Sequence, residues 1–257
     1  MDTIKVTVSE LPDGLEFRDV WPKLVDHVEK ERSEIALLPE MPAYFWFPAI
    51  PEFDASVWRE ALKAHDEFME LLKELDATVI STRPVQENNL RLNQAFCWRK
   101  QYEPLRSKYY FPDERGFYEA RWFHRKEKDF KTFRIGEVVA GVLICSEVMF
   151  NEWARWYGKH GAHIIFVPRA TGSNIDRWLV ALRMAAIVSG SFVLSSNRRG
   201  GEVGFGGCGF VISPEGDVIA RTSQNPQNSQ NGPFVTVEID ISESIEAKRT
   251  YPRYIPE

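Results

Sequence analysis

The stretch Val138-Val139-Ala140-Gly141-Val142-Leu143-Ile144-Cys145-Ser146-Glu147 decides how this chain folds. Its first seven residues are small or apolar and rich in β-branched side chains, which reads as a strand buried on both faces, the pattern of a parallel α/β sheet. Polarity returns at Cys145, so the sulfur stands at the carboxyl end of the strand, where open α/β sheets gather reactive groups. Core packing alone explains an isolated cysteine in such a place, because free Cys is among the most buried residue types. A reactive role needs partners.

Two candidates exist. Ile35-Ala36-Leu37-Leu38-Pro39-Glu40 is a second short apolar strand; Pro39 cannot donate to a sheet ladder, so the strand stops and Glu40 projects from the same rim. Lys108 lies in Lys108-Tyr109-Tyr110-Phe111-Pro112-Asp113-Glu114, where the aromatics hold an ammonium in a partly desolvated setting. Singly, a rim Glu is a solvated surface group and a Lys beside tyrosines snorkels. Together they form a carboxylate–ammonium–thiol set.

With that set in view, the sequence resembles the nitrilase superfamily of carbon–nitrogen hydrolases, most closely its branch acting on N-carbamoyl amines and amides. That family's Pro-Glu, Lys-x-His-hydrophobic-Pro and Gly-Val-x-Ile-Cys segments fall on Glu40, Lys108 and Cys145. Gly116-Phe117-Tyr118-Glu119 looks like the segment carrying its second active-site carboxylate. The likeness continues through Gly161 to Pro168, Ser196-Asn197-Arg198-Arg199-Gly200 and Gly207 to Gly216. There are departures: Tyr110 stands where the family has His, Glu147 where it has Asp, Asn151 where it has Pro, and Cys208 where it has Ser. The resemblance implies a four-layer α-β-β-α sandwich over residues 1–257 as one domain, no cofactor, and a homodimer or larger homo-oligomer.

Composition agrees with a globular enzyme. A net charge of -5 over 257 residues argues against nucleic acid as a partner. Three cysteines, Cys97, Cys145 and Cys208, cannot form a fully paired disulfide framework, so a reducing compartment, the cytoplasm, is expected. No stretch approaches the ~20 apolar residues of a membrane span, and the start lacks a signal-peptide pattern. His160 and His163 have no cysteine or carboxylate partner at ligand spacing, so no metal is expected. The polar segment 223–232 reads as a surface loop.

Periodicity predicts strands over 4–8, 35–38, 77–81, 94–98, 163–167, 192–196, 208–212, 218–221 and 234–239. Helices are predicted over 21–31, 58–75, from 151 onward and over 176–189. Trp153, Trp156 and Tyr157 fall on one helical face, which packs on the sheet or forms a subunit contact. Pattern alone gives α/β with the strand order open.

The chemistry implied is acyl transfer. Cys145 is the expected nucleophile, Glu40 the general base, and Lys108 the oxyanion partner with the N–H of Ser146; Glu119 orients Lys108 or the substrate. A carboxylate and an ammonium nearby should loosen the Cys145 proton, leaving Cys97 and Cys208 inert. Tyr44 and the other aromatics of 41–47 are candidates for an apolar substrate wall, with further walls from 148–150 and 169–173. Arg169, following Pro168 at a strand end, is a candidate for gripping a substrate carboxylate, or else a surface or subunit-contact residue. The expected substrate is a small amide or carbamoyl compound. A nitrile as substrate uses the same three residues; the alternative from another class is a binding member of the fold without turnover, against which the presence of all three residue types argues.

Overall fold

The computed structural model describes residues 3–223 and 232–256. The polar loop read at 223–232 therefore lies almost entirely outside the described residues. Strand β1 (Thr3–Pro12) organises two sheets. Its Val6–Val8 segment pairs in parallel with β2 (Ile35–Leu37), and β2 pairs in parallel with β3 (Thr78–Glu87). β3 turns back into β4 (Leu90–Trp98), which pairs antiparallel with β5 (Tyr102–Ser107). The last three residues of β1 cross to the second sheet and pair with β9 (Phe192–Gly200). There, β9 runs parallel to β8 (Ile164–Arg169), and β8 parallel to β7 (Val138–Val142); β6 (Phe133–Ile135) closes that edge antiparallel. On the other side of β9 come β10 (Phe205–Gly206) and the hairpin of β11 (Phe210–Ile212) with β12 (Val218–Arg221), while β13 (Phe234–Asp240) returns to β1.

The core falls into layers. Val6, Val8, Leu37 and Ile80 of the first sheet meet Ala140, Val142, Phe166 and Leu194 of the second in one buried cluster, so the sheets pack face to face. Helices α1 (Phe17–Glu31) and α2 (Ala55–Leu71) cover the first sheet through Trp21, Leu24 and Phe68, packed on Ala36 and Val79. A short α3 (Glu119–Trp122) packs Trp122 with Phe47 and Trp58, and α4 (Asn151–Lys159) with α5 (Ile175–Ser189) covers the second sheet through Ala154, Tyr157, Leu182 and Ala185; α6 (Ile241–Ala247) follows β13. This is the expected α-β-β-α order.

The deciding stretch explains itself here. Ala140, Val142 and Ile144 point into the intersheet core, and Leu143 faces the helices. A Cβ on Gly141 would sit 2.6 Å from the Tyr157 ring, so only glycine lets α4 pack there. Tyr157 thus belongs to the sheet–helix interface, its hydroxyl donating to the Val142 carbonyl at 2.9 Å. Trp153 stacks on Phe130 at 4.1 Å and stays half-buried.

Sequence periodicity shortened the β3–β4 hairpin. The strands run on to a two-residue turn at Asn88-Asn89, where Asn88 adopts φ +52°. Asparagine tolerates that region, which is what such a hairpin turn requires.

Candidate active site

Glu40, Lys108, Glu119 and Cys145 come from four separate segments and meet in one buried place. Lys108 follows β5, its N–H bonded to the Asn93 carbonyl at 2.8 Å. Its Nζ reaches Glu40 Oε1 at 2.9 Å and both Glu119 oxygens at 2.7 and 2.9 Å. Lys126, in the nearby segment His124-Arg125-Lys126, instead pairs with Glu87 at the exposed surface.

Cys145 opens a 3₁₀ turn, Cys145–Met149, and is itself held at φ +51°. Met41, directly after Glu40, has φ +45°. Left-handed backbone at a non-glycine residue costs on the order of 1 kcal/mol and persists only where surrounding contacts impose it. Both corners are so imposed. Arg198, fully buried, donates to the carbonyls of Glu40, Met41 and Tyr44 and pairs with Asp13, clamping the loop after Glu40. Glu147, also fully buried, accepts from the Ile144 and Tyr109 N–H groups, each at 2.8 Å, and pairs with Arg106. One carboxylate therefore ties the Cys145 turn to the residue after Lys108. Tyr110 adds a second tie: its carbonyl accepts from Ser146 Oγ at 2.7 Å, and its ring stacks on Phe150 at 3.8 Å.

Asn93, which carries no local signal in the sequence, donates from Nδ2 to Glu40 Oε1 at 2.7 Å. That oxygen thus holds two donors, while Glu40 Oε2 has no partner among the described residues. The carboxylate is fixed by one oxygen and left with the other to accept a proton. Removing the amide with Asn93→Ala should lower kcat by about tenfold or more, the worth of a hydrogen bond to a charged group, with KM within about twofold. Equal losses in kcat and 1/KM would instead place Asn93 on the substrate.

Electrostatics assign the protons. Burial disfavours the Lys108 ammonium, but Glu119 and then Glu40 outweigh it and raise its pKa above the ordinary lysine range. Burial pushes Glu119 up to about 8, Lys108 opposing and Glu40 reinforcing. Glu119 thus retains its proton near neutrality. Burial, and next the negative Glu40, push the Cys145 thiol well above its usual range against the pull of Lys108. This corrects the expectation of a loosely held proton: the resting group is a thiol, and a base has to remove its proton as the new bond forms. Cys97 is pushed up to about 12 and Cys208 is raised as well, each chiefly by burial.

The raised Glu119 has a consequence for stability. The folded state binds this proton more tightly than the unfolded chain, whose value is 4.5, so its contribution is complete below that pH and is lost as pH rises through about 8. Glu119→Gln should therefore flatten the dependence of unfolding free energy on pH over this span, as measured by urea denaturation. An unchanged slope would put the proton elsewhere.

A cavity of about 460 Å³ opens on this group, lined by Cys145, Ser146, Glu119, Met149 and the 170–174 loop. Neither Tyr44 nor Arg169, the two expected substrate contacts, is among the residues lining it. The Tyr44 hydroxyl donates to Glu60 of α2 at 2.6 Å, and its neighbours Trp46 and Phe47 pack with Trp58, Trp122 and Phe123 in an aromatic cluster that borders the cavity at Phe117 and Ala170. Arg169 is fully buried, with its guanidinium on Ser195 Oγ at 2.6 Å, Thr171 Oγ1 at 2.9 Å and the Cys208 carbonyl at 2.7 Å. It is neither at the surface nor among the residues lining the cavity, because β8 runs to Arg169 itself and turns this side chain toward the helix layer, near Trp178 and Phe210. His160 stacks on Trp156, whereas His163 accepts from the Val139 N–H, so the two histidines serve different partners.

Residues 10–249 match the carbon-nitrogen hydrolase family. The chain belongs to that family. An N-carbamoylputrescine amidase of Oryza sativa subsp. japonica is 25% identical over 88% of this chain and 81% of its own length. Among solved structures, the carbon-nitrogen hydrolase of Helicobacter pylori G27 superposes with TM-score 0.83 at 21% identity, covering 98% of this chain and 94% of that one. A glutamate-to-glutamine mutant of the amidase from Nesterenkonia sp. AN1, with the acetamide moiety of fluoroacetamide added covalently at its active-site cysteine, superposes with TM-score 0.76 at 17% identity, covering 95% and 92%. As a carbon-nitrogen hydrolase the chain is an enzyme with the fold of the nitrilase superfamily, and among its described residues no helix is long and apolar enough to cross a membrane.

Proposed function

We propose that this carbon-nitrogen hydrolase cleaves a small amide or N-carbamoyl amine through a thioester on Cys145. The observation that carries the reading is the meeting of a carboxylate with one free oxygen and a locked ammonium beside a thiol that lines the cavity. An amide carbonyl is a poor electrophile, so a sulfur nucleophile divides its hydrolysis into two easier steps. Glu40 Oε2 takes the thiol proton as Sγ attacks the carbonyl carbon. Negative charge gathers on the carbonyl oxygen and is met by Lys108 Nζ and the Ser146 N–H. The tetrahedral species collapses, the C–N bond breaks, and the nitrogen leaves with the proton held by Glu40. Glu40 then deprotonates water, which attacks the thioester; the acid departs and the proton returns to sulfur. Glu119, bonded to Lys108 through both oxygens, keeps the ammonium aimed during both steps.

Ammonia release from a panel of amides, carbamoyl amines and nitriles tests this. Turnover of the first two classes, absent in Cys145→Ala, is the expected result. Turnover of nitriles alone, or of none, overturns it.

A further inference from the structure

The cavity in front of Cys145 runs from buried to exposed residues, and its charges are sorted along that path. At the buried end stand Cys145 and Glu119, the latter held by Lys108. Phe117, Met149, Pro112 and Trp178 supply apolar lining. The remaining charged lining residues are Glu114 and Arg177, both exposed. Among the described residues neither side chain has a hydrogen bond or ion pair, and the two do not pair with each other although they border one opening.

Isolated exposed charges are ordinarily just solvated. These two are held on fixed backbone. Glu114 belongs to a tight turn closed by Phe117 N–H to the Glu114 carbonyl at 2.8 Å, and the turn is pinned where the Trp46 indole donates to the Gly116 carbonyl at 3.0 Å. Arg177 sits in the first turn of α5, its own N–H accepted by the capping Asn174 side chain. A carboxylate and a guanidinium presented from two hydrogen-bonded elements, bordering the cavity that holds the nucleophile, complement a ligand with an ammonium and a carboxylate at one end and a cleavable carbonyl at the other.

Resting on the hydrolase reading above, we propose that the substrate is zwitterionic: a free α-amino acid whose side chain ends in a ureido or carboxamide group, with its ammonium at Glu114 and its carboxylate at Arg177. A cavity of about 460 Å³ is of the size that takes small molecules of this kind.

Four ureido compounds with a common head group test the charges one at a time: L-citrulline, its decarboxylated analogue N-carbamoylputrescine, its deaminated analogue ω-ureidopentanoate, and neutral butylurea. The zwitterion should show the highest kcat/KM. Because each contact is at the exposed mouth, each charge is worth up to about fivefold. Arg177→Gln should lower kcat/KM for L-citrulline and ω-ureidopentanoate by that factor and leave the other two unchanged. Glu114→Gln should do the same to L-citrulline and N-carbamoylputrescine. Both side chains are exposed, so neither variant threatens the fold. If butylurea is hydrolysed as well as L-citrulline, or the variants shift all four compounds alike, zwitterion selection is wrong while the hydrolase reading stands. If none of the four is hydrolysed and no amide is either, the hydrolase reading falls and this inference with it.

Discussion

Lys108→Met is expected to lower kcat by two to three decades or more while Lys126→Ala changes it by less than about twofold. One fixed donor at a developing oxyanion is worth roughly 3 kcal/mol, which sets the floor of the first effect. The real loss is larger, because Lys108 is the partner of two carboxylates with no exposure to solvent. Without it the Glu40 and Glu119 carboxyls lose the cation that compensates them in a dry site, a situation worth about 3–5 kcal/mol in stability, and the site responds by taking up protons that disable the base. Lys126 pairs with Glu87 where both side chains are about two-fifths exposed, and such pairs contribute about 0–1 kcal/mol. Steady-state kinetics alongside thermal unfolding of both variants separates catalysis from folding. A mild Lys108 variant beside a dead Lys126 variant would reverse the assignment.

Glu40→Gln should be comparably severe. The substitution is isosteric, and its carbonyl oxygen can still accept from Asn93 and Lys108, so the site's geometry should survive. What changes is the second position, where a proton acceptor becomes an amide donor. Since burial holds the Cys145 proton well above the usual thiol range, solvent offers no substitute near neutrality. General-base catalysis contributes about 10²–10⁴-fold, and a loss of that size in kcat with KM little changed is the expected result. Wild-type turnover in Glu40→Gln would remove Glu40 from the proton path.

The three chemical groups were legible because each stands at the end of a short apolar strand or in an aromatic run, where local sequence changes character. Glu147, Asn93 and Arg198 were not legible in their supporting roles. Asn93 lies mid-strand in β4 and acquires its purpose only because β5 returns beside it and delivers Lys108 to its carbonyl. Glu147 acts through Arg106, 41 residues away in sequence, and Arg198 through Glu40 at a separation of 158. Such contacts are fixed by sheet order, which periodicity leaves open. Tyr44 and Arg169 show the complementary limit. A residue near a strand end can be placed on the rim from sequence, but the direction of its side chain depends on how far the strand runs and what packs beside it. For Arg169 the strand ran on through the residue itself, and three acceptors in the second sheet and its connecting loops claimed the guanidinium.

The central claim is that Cys145 is a nucleophile and not merely a buried sulfur. Burial raises all three thiols, so bulk thiolate content does not single it out; what does is its place at the cavity floor beside Glu40. A haloacetamide shaped like a substrate should enter that cavity and alkylate sulfur, displacing the halide. Peptide mass spectrometry after substoichiometric fluoroacetamide should find the adduct on Cys145, activity lost in proportion, and no adduct in Cys145→Ala. Modification appearing first on Cys97 or Cys208, or ammonia release persisting in Cys145→Ala, would contradict the account.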